Sequence, residues 1–186
     1  MSTRKAEPYV PSEAEKVGAL SDVAYELEQI RDLLKAWPST PGLQQNAWIE
    51  AILVHARQLL DFFEEPRRFV RSGKEEDDIL AVDFGFVAAP VAVPKTFRLR
   101  LNKDLAHLSY SRQGRVRSQK MWHFSDLAPL LVRGREFAEH VVEAWSERLD
   151  PTCMARWKGL ARMRIVGPSN SELQRTRPAQ AMEPRR

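Results

Sequence analysis

The fold is decided by the stretch SEAEKVGALSDVAYELEQIRDLLKAW, residues 12–37. Val17, Leu20, Ala24, Leu27, Leu34 and Trp37 recur in it at helical steps, the spacing that lines one face of an α-helix. Ser12 and Glu15 stand behind Pro11 as a capping box, in which the hydroxyl and the carboxylate each accept one early backbone N–H. Pro38-Ser39-Thr40-Pro41-Gly42 ends the helix. Thr40 is placed to cap a second helix with Pro41 in its first position, where a missing N–H costs nothing. That second helix is expected over residues 41–65, stopping at Pro66.

Past Pro66 the pattern breaks. Arg67, Arg68, Arg71, Lys74 and then Glu75-Glu76-Asp77-Asp78 read as a solvated charged loop. Ile79 to Phe84 has room for one helical turn, and Gly85 to Pro94 reads as a connection lying over the core. A third helix is expected at 96–111, with Phe97, Leu101, Leu105 and Leu108 as its stripe. Trp122 and Phe124 precede a fourth at 125–149, striped by Leu127, Leu130, Leu131, Phe137, Val141, Trp145 and Leu149, with Pro129 tolerated in its first turn. The expected fold is therefore all-α: a four-helix bundle with a long 66–94 connection and a basic, partly disordered C-terminal tail. Residues 1–11 are expected to be a flexible N-terminus, 12–150 the bundle, and 151–186 the tail. Within that tail Met154, Trp157, Ala161 and Ile165 have the spacing of a short basic amphipathic helix.

Charge sharpens this division. From Pro151 to Arg186 eight Lys/Arg face two Asp/Glu, a net of +6, so the overall +4 leaves −2 on residues 1–150. On this reading only the tail has the charge for nucleic acid or an acidic surface. The single cysteine, Cys153, cannot form an internal disulfide and suits a reducing compartment. The N-terminus has no signal-peptide pattern. The longest apolar run, Phe84 to Val93, is broken by Gly85 and Pro90 and is about half a membrane span. The cytoplasm is the expected location, with no membrane partner. There is no glycine-rich phosphate loop and no zinc-ligand spacing, so no metal and no cofactor is expected. Asp77, Asp78 and Asp83 are the nearest approach to a Mg²⁺ set, but a charged loop needs no ion to explain it.

Two places carry chemistry. On the second helix His55 falls in the middle of the stripe made by Trp48, Ile52, Leu59, Phe62 and Phe63. It is expected to be neutral, buried and bonded to a carbonyl or carboxylate of a neighbouring helix, the alternative being a functional imidazole. On the third helix Arg100, Asp104, His107 and Ser111 share one face at spacings of three, four and seven, with Arg112 and Arg115 following. A guanidinium that binds phosphate oxygens beside an imidazole that moves a proton suits phosphate chemistry. An Arg100–Asp104 pair on a solvated face explains the same residues without it.

Asn46-Ala47-Trp48-Ile49-Glu50-Ala51-Ile52-Leu53-Val54-His55-Ala56-Arg57-Gln58-Leu59-Leu60-Asp61-Phe62-Phe63 and Leu101-Asn102-Lys103-Asp104-Leu105-Ala106-His107-Leu108-Ser109-Tyr110-Ser111-Arg112 together resemble an uncharacterised group of short bacterial helical proteins, over about residues 40–145. The second segment, with six residues between Arg100 and His107, also distantly resembles the motif of the HEPN superfamily. That resemblance implies a helical bundle in a toxin–antitoxin or phage-defence setting. It also implies, for catalytic members, a homodimer whose Arg and His cut RNA without metal. The polar residue that usually follows the Arg is here Leu101, with Asn102 one place late. The chain is thus expected to be a non-catalytic module binding RNA or a protein. The alternative is a dimeric, metal-independent ribonuclease using Arg100 and His107, with His55, Asn102 and Arg112 as further candidates.

Overall fold

The computed structural model describes residues 9–36, 43–66, 77–105 and 122–165, and among them every regular element is helical. Helix α1 covers Glu13–Ala36 and α2 covers Leu43–Glu64. The short α3, Lys95–Arg100, runs on into a π turn over Leu101–Leu105. A 3-10 turn at Phe124–Leu127 leads into α4, Ala128–Ala144, and α5 covers Pro151–Ala161. The expected Thr40 cap, the charged loop from Arg67 to Glu76, the end of the third helix and everything beyond Ile165 lie outside the described residues.

The capping box forms as the sequence implies. The Ser12 N–H donates to Glu15 Oε2 at 2.7 Å and the Glu15 N–H donates back to Ser12 Oγ at 3.3 Å. The stripe of α1 is then buried, with Leu20, Ala24, Leu27 and Ile30 inaccessible to water. Helix α2 is buried more widely, through Ile52, Leu53, Ala56, Leu59, Leu60, Phe62 and Phe63, because it packs on both α1 and α4. Phe137 of α4 sits at the centre of the core. It meets Phe62, Phe84, Phe86 and Trp157 in edge-to-face contacts at 5.1 to 5.7 Å, an arrangement worth something beyond area because ring edges and faces carry opposite partial charge. Helices α1 and α4 approach closely at Gly134, where an added Cβ would lie 2.4 Å from a methyl of Leu27.

The stretch from Gly85 to Pro94 does lie over the core, and it and the turn before it are held by polar bonds from both sides. A 3-10 turn at Ala81–Phe84 ends on Gly85, whose φ of 77° is open to glycine and costly for other residues. The Ala89 N–H donates to the Phe63 carbonyl at 3.1 Å. Glu64, on the last turn of α2, accepts from the Val91 N–H at 2.7 Å and grips the Arg98 guanidinium with both oxygens, while Arg98 donates to the Val91 carbonyl at 3.0 Å. His140 Nε2 of α4 at 2.9 Å and Nε1 of Trp145, which follows its last residue, at 3.3 Å both reach the Phe84 carbonyl; an oxygen of this kind only accepts, so both nitrogens donate.

Three expectations need correction. The boundary between bundle and tail is not at residue 150. Asp150 caps α5 by accepting from the N–H groups of Thr152 and Cys153, and Trp157 and Leu160 of that helix are completely buried against α4 and α1. The four long helices of the bundle are therefore α1, α2, α4 and α5. The third helix, expected over 96–111, is α-helical only to Arg100 and then widens into the π turn. The fourth does not begin as an α-helix at 125 or reach 149: a 3-10 turn precedes Pro129, and the helix ends at Ala144.

Candidate functional site

Arg100 closes α3, and its guanidinium lies 3.9 Å over the ring of Trp122, which in turn packs edge-on against Phe97 at 5.3 Å. Trp122 thus packs onto α3 through both Phe97 and Arg100. Leu101 is buried and Asn102 is exposed, so the position next to the arginine is spent on the core. In the π turn over Leu101–Leu105 each bond spans five residues rather than four. The Asp104 side chain lies outside the described residues. His107, Ser111 and Arg112 lie outside the described residues. Asp77 and Asp78 are exposed, and Asp83 accepts from the Leu80 N–H at 2.9 Å as part of the turn.

His55 is 15% exposed through its side chain, and its Nδ1 lies 2.6 Å from Glu26 Oε2 on α1. The carboxylate only accepts, so Nδ1 carries the proton. With its NH₂ group turned toward Glu26, Gln58 donates to the same carboxylate at 2.6 and 3.2 Å. Tyr25 meets the imidazole edge-on at 5.9 Å. This polar seam ties α1 to α2, the cross-helix role the sequence suggested for a histidine inside an apolar stripe.

The structure brings together a set of residues that the sequence reading did not connect. Arg31 and Lys35 on the last turns of α1 face Arg162 and Arg164 at the end of α5. Between them is a groove of about 490 Å³ whose floor is Leu34, Leu131, Met163 and Ile165 and whose wall includes Gly159. Asp32 offsets part of this charge: Arg31 grips it through Nε and Nη2 at 2.7 and 2.8 Å, and Lys35 lies 3.5 Å away. The Arg31 guanidinium holds the Asp32 carboxyl below its ordinary range. Four cations against one anion leave a net of +3 in the groove. Arg156, one turn earlier on α5, is by contrast committed to Glu28 at 2.7 Å and to Ser21.

Helix C-termini attract cations, and the ends of α1 and α5 account for Lys35 and Arg162 on that ground. Arg164 lies beyond both helices and has no carboxylate partner among the described residues. The signal available in the sequence was the Arg162-Met163-Arg164-Ile165 alternation, two cations interleaved with two apolar residues.

No helix among the described residues is long and apolar enough to cross a membrane. Comparison of the chain with protein-family models, curated proteins and solved structures gave no significant match.

Proposed function

We propose that this chain is a non-catalytic, cytoplasmic interaction module, HEPN-like in its bundle, that docks a negatively charged macromolecule in the groove between the ends of α1 and α5. The observation that carries this reading is the convergence of Arg31, Lys35, Arg162 and Arg164 around an apolar floor, from segments about 130 residues apart in the chain. A rigid cationic cleft raises the local concentration of an anionic partner and speeds its arrival. The toxin–antitoxin or phage-defence setting follows from the HEPN resemblance, and such systems employ helical modules that recognise RNA or protein. The ribonuclease reading has less support, since Arg100 is stacked on Trp122 and Leu101 is packed in the core.

The test is binding of labelled heparin, as a generic polyanion, followed by fluorescence anisotropy across a salt series. Wild-type protein is expected to bind with an affinity that falls steeply as salt rises, and Arg162→Glu/Arg164→Glu is expected to lose most of that dependence. Equal binding by the charge-reversed protein would show that the groove is not the docking surface. Metal-independent cleavage of an RNA oligonucleotide that vanishes in His107→Ala would return the case to the catalytic reading.

A further inference from the structure

Resting on the groove as the docking surface, we propose that its occupant is an acidic, extended segment of a protein partner that seats one apolar side chain on the floor between the two cationic walls.

The lining chooses among anions. Bases of single-stranded nucleic acid are held by stacking on aromatic rings, and the groove has none: its floor is Leu34, Leu131, Met163 and Ile165. Duplex phosphates are met by charge alone and gain nothing from a recessed apolar floor. A peptide with an apolar residue between carboxylates uses both features. The size agrees, because about 490 Å³ accepts a few side chains, while a whole helix needs a longer trough than nine lining residues provide. The chain's own C-terminal continuation is a poor occupant by sign. From Val166 to Arg186 it carries Arg175, Arg177, Arg185 and Arg186 against Glu172 and Glu183, so it repels the groove and adds to its attraction for acidic partners.

Gly159 also lines the groove, and a Cβ built there would meet nothing within 4 Å, so a larger side chain can be introduced at this position without disturbing the helix packing.

The experiment uses the full-length chain and four fluorescein-labelled probes: a twelve-residue peptide of Glu and Asp with one central Leu, the same peptide with Ser for Leu, polyglutamate, and a single-stranded RNA of equal charge. The Leu peptide is expected to bind at least about fivefold tighter than its Ser counterpart and than polyglutamate, one buried apolar side chain being worth that much. Gly159→Trp, which fills the groove from an exposed position and leaves helical circular dichroism unchanged, is expected to remove this preference while retaining salt-dependent attraction. Arg162→Glu/Arg164→Glu is expected to lose both. Equal binding of the Leu and Ser peptides, or unchanged peptide binding by Gly159→Trp, would overturn the apolar seat. RNA bound tighter than the Leu peptide would assign the groove to nucleic acid. Failure of every probe and of heparin would instead remove the docking surface itself.

Discussion

Removing residues 151–186 should unfold the protein, whereas removing only 166–186 should leave it folded. The magnitude follows from what α5 buries. Trp157 is inaccessible to water and packs edge-on against Phe137 at 5.6 Å, and losing a buried aromatic of this size costs about 3–5 kcal/mol. Leu160 is also fully buried, and Met154 and Met163 are each 8% exposed, so each contributes about 1.5–3 kcal/mol. The total, about 7–14 kcal/mol, matches the whole stability of an ordinary domain, about 5–15 kcal/mol. Cutting at 150 also exposes the face of Phe137 that Trp157 covers. The assay is urea denaturation followed by circular dichroism on chains ending at 150, 165 and 186. The 165 form should show a cooperative transition with the midpoint and slope of the full chain, and the 150 form should show none. A cooperative transition in the 150 form within about 2 kcal/mol of the full chain would refute the assignment of α5 to the core.

Three further outcomes are expected. Gly134→Ala should destabilise by about 0–2 kcal/mol, the overpacking against Leu27 outweighing the helix-propensity gain; pairing it with Leu27→Ala in a double-mutant cycle should remove the overpacking cost, and strict additivity would contradict the close approach. Glu64→Ala should cost about 1.5–3 kcal/mol by stranding Arg98 and the Val91 N–H, with amide exchange rising first at Ala89 and Val91; unaltered exchange there would show that the clamp does not hold the connection. The cap of α1 is pH-dependent. Hydrogen bonds from Ser12 and Tyr9 hold the Glu15 carboxyl at about 2 against an ordinary 4.5, so its contribution is complete above 4.5 and fades as the pH falls toward 2. In Ser12→Ala the midpoint read by Glu15 carboxyl NMR should move back toward 4.5.

Much of the fold is legible in the sequence because its signals are local. The Ser12–Glu15 box, the stripe of α1 and the proline at the head of α4 act within one or two turns, and the structure contains all three. The place of His55 was legible too: an imidazole inside an apolar stripe needs a polar partner across the interface, and Glu26 provides it. What the pattern hid is tertiary. Arg98 belongs to no pattern in the sequence, yet Glu64 grips it with both oxygens, because the 85–94 connection brings it back over the end of α2. The π turn at Leu101–Leu105 is equally invisible to a count at 100° per residue.

The charge reading shows most clearly how one boundary decides a functional argument. With the bundle ended at residue 150 its net charge is −2, and the basic residues appear to belong to an appendage. The Asp150-Pro151 pair, a cap followed by a first-turn proline, marks a helix start, and Met154, Trp157, Leu160 and Met163 give that helix a buried face. Extending the folded body to Ile165 adds Arg156, Lys158, Arg162 and Arg164 and no acid, which turns −2 into +2. Arg156 is neutralised by Glu28, and Lys158 is exposed on the outer face of α5. The remaining two meet Arg31 and Lys35 because α5 and α1 lie side by side in the same direction, Arg156 opposite Ser21 and Glu28 and the groove residues one to two turns further along both helices. A cationic site on this chain is therefore a product of helix packing and not of the tail's composition, which is why shortening the chain to 165 should preserve the salt-dependent binding that charge reversal at Arg162 and Arg164 removes.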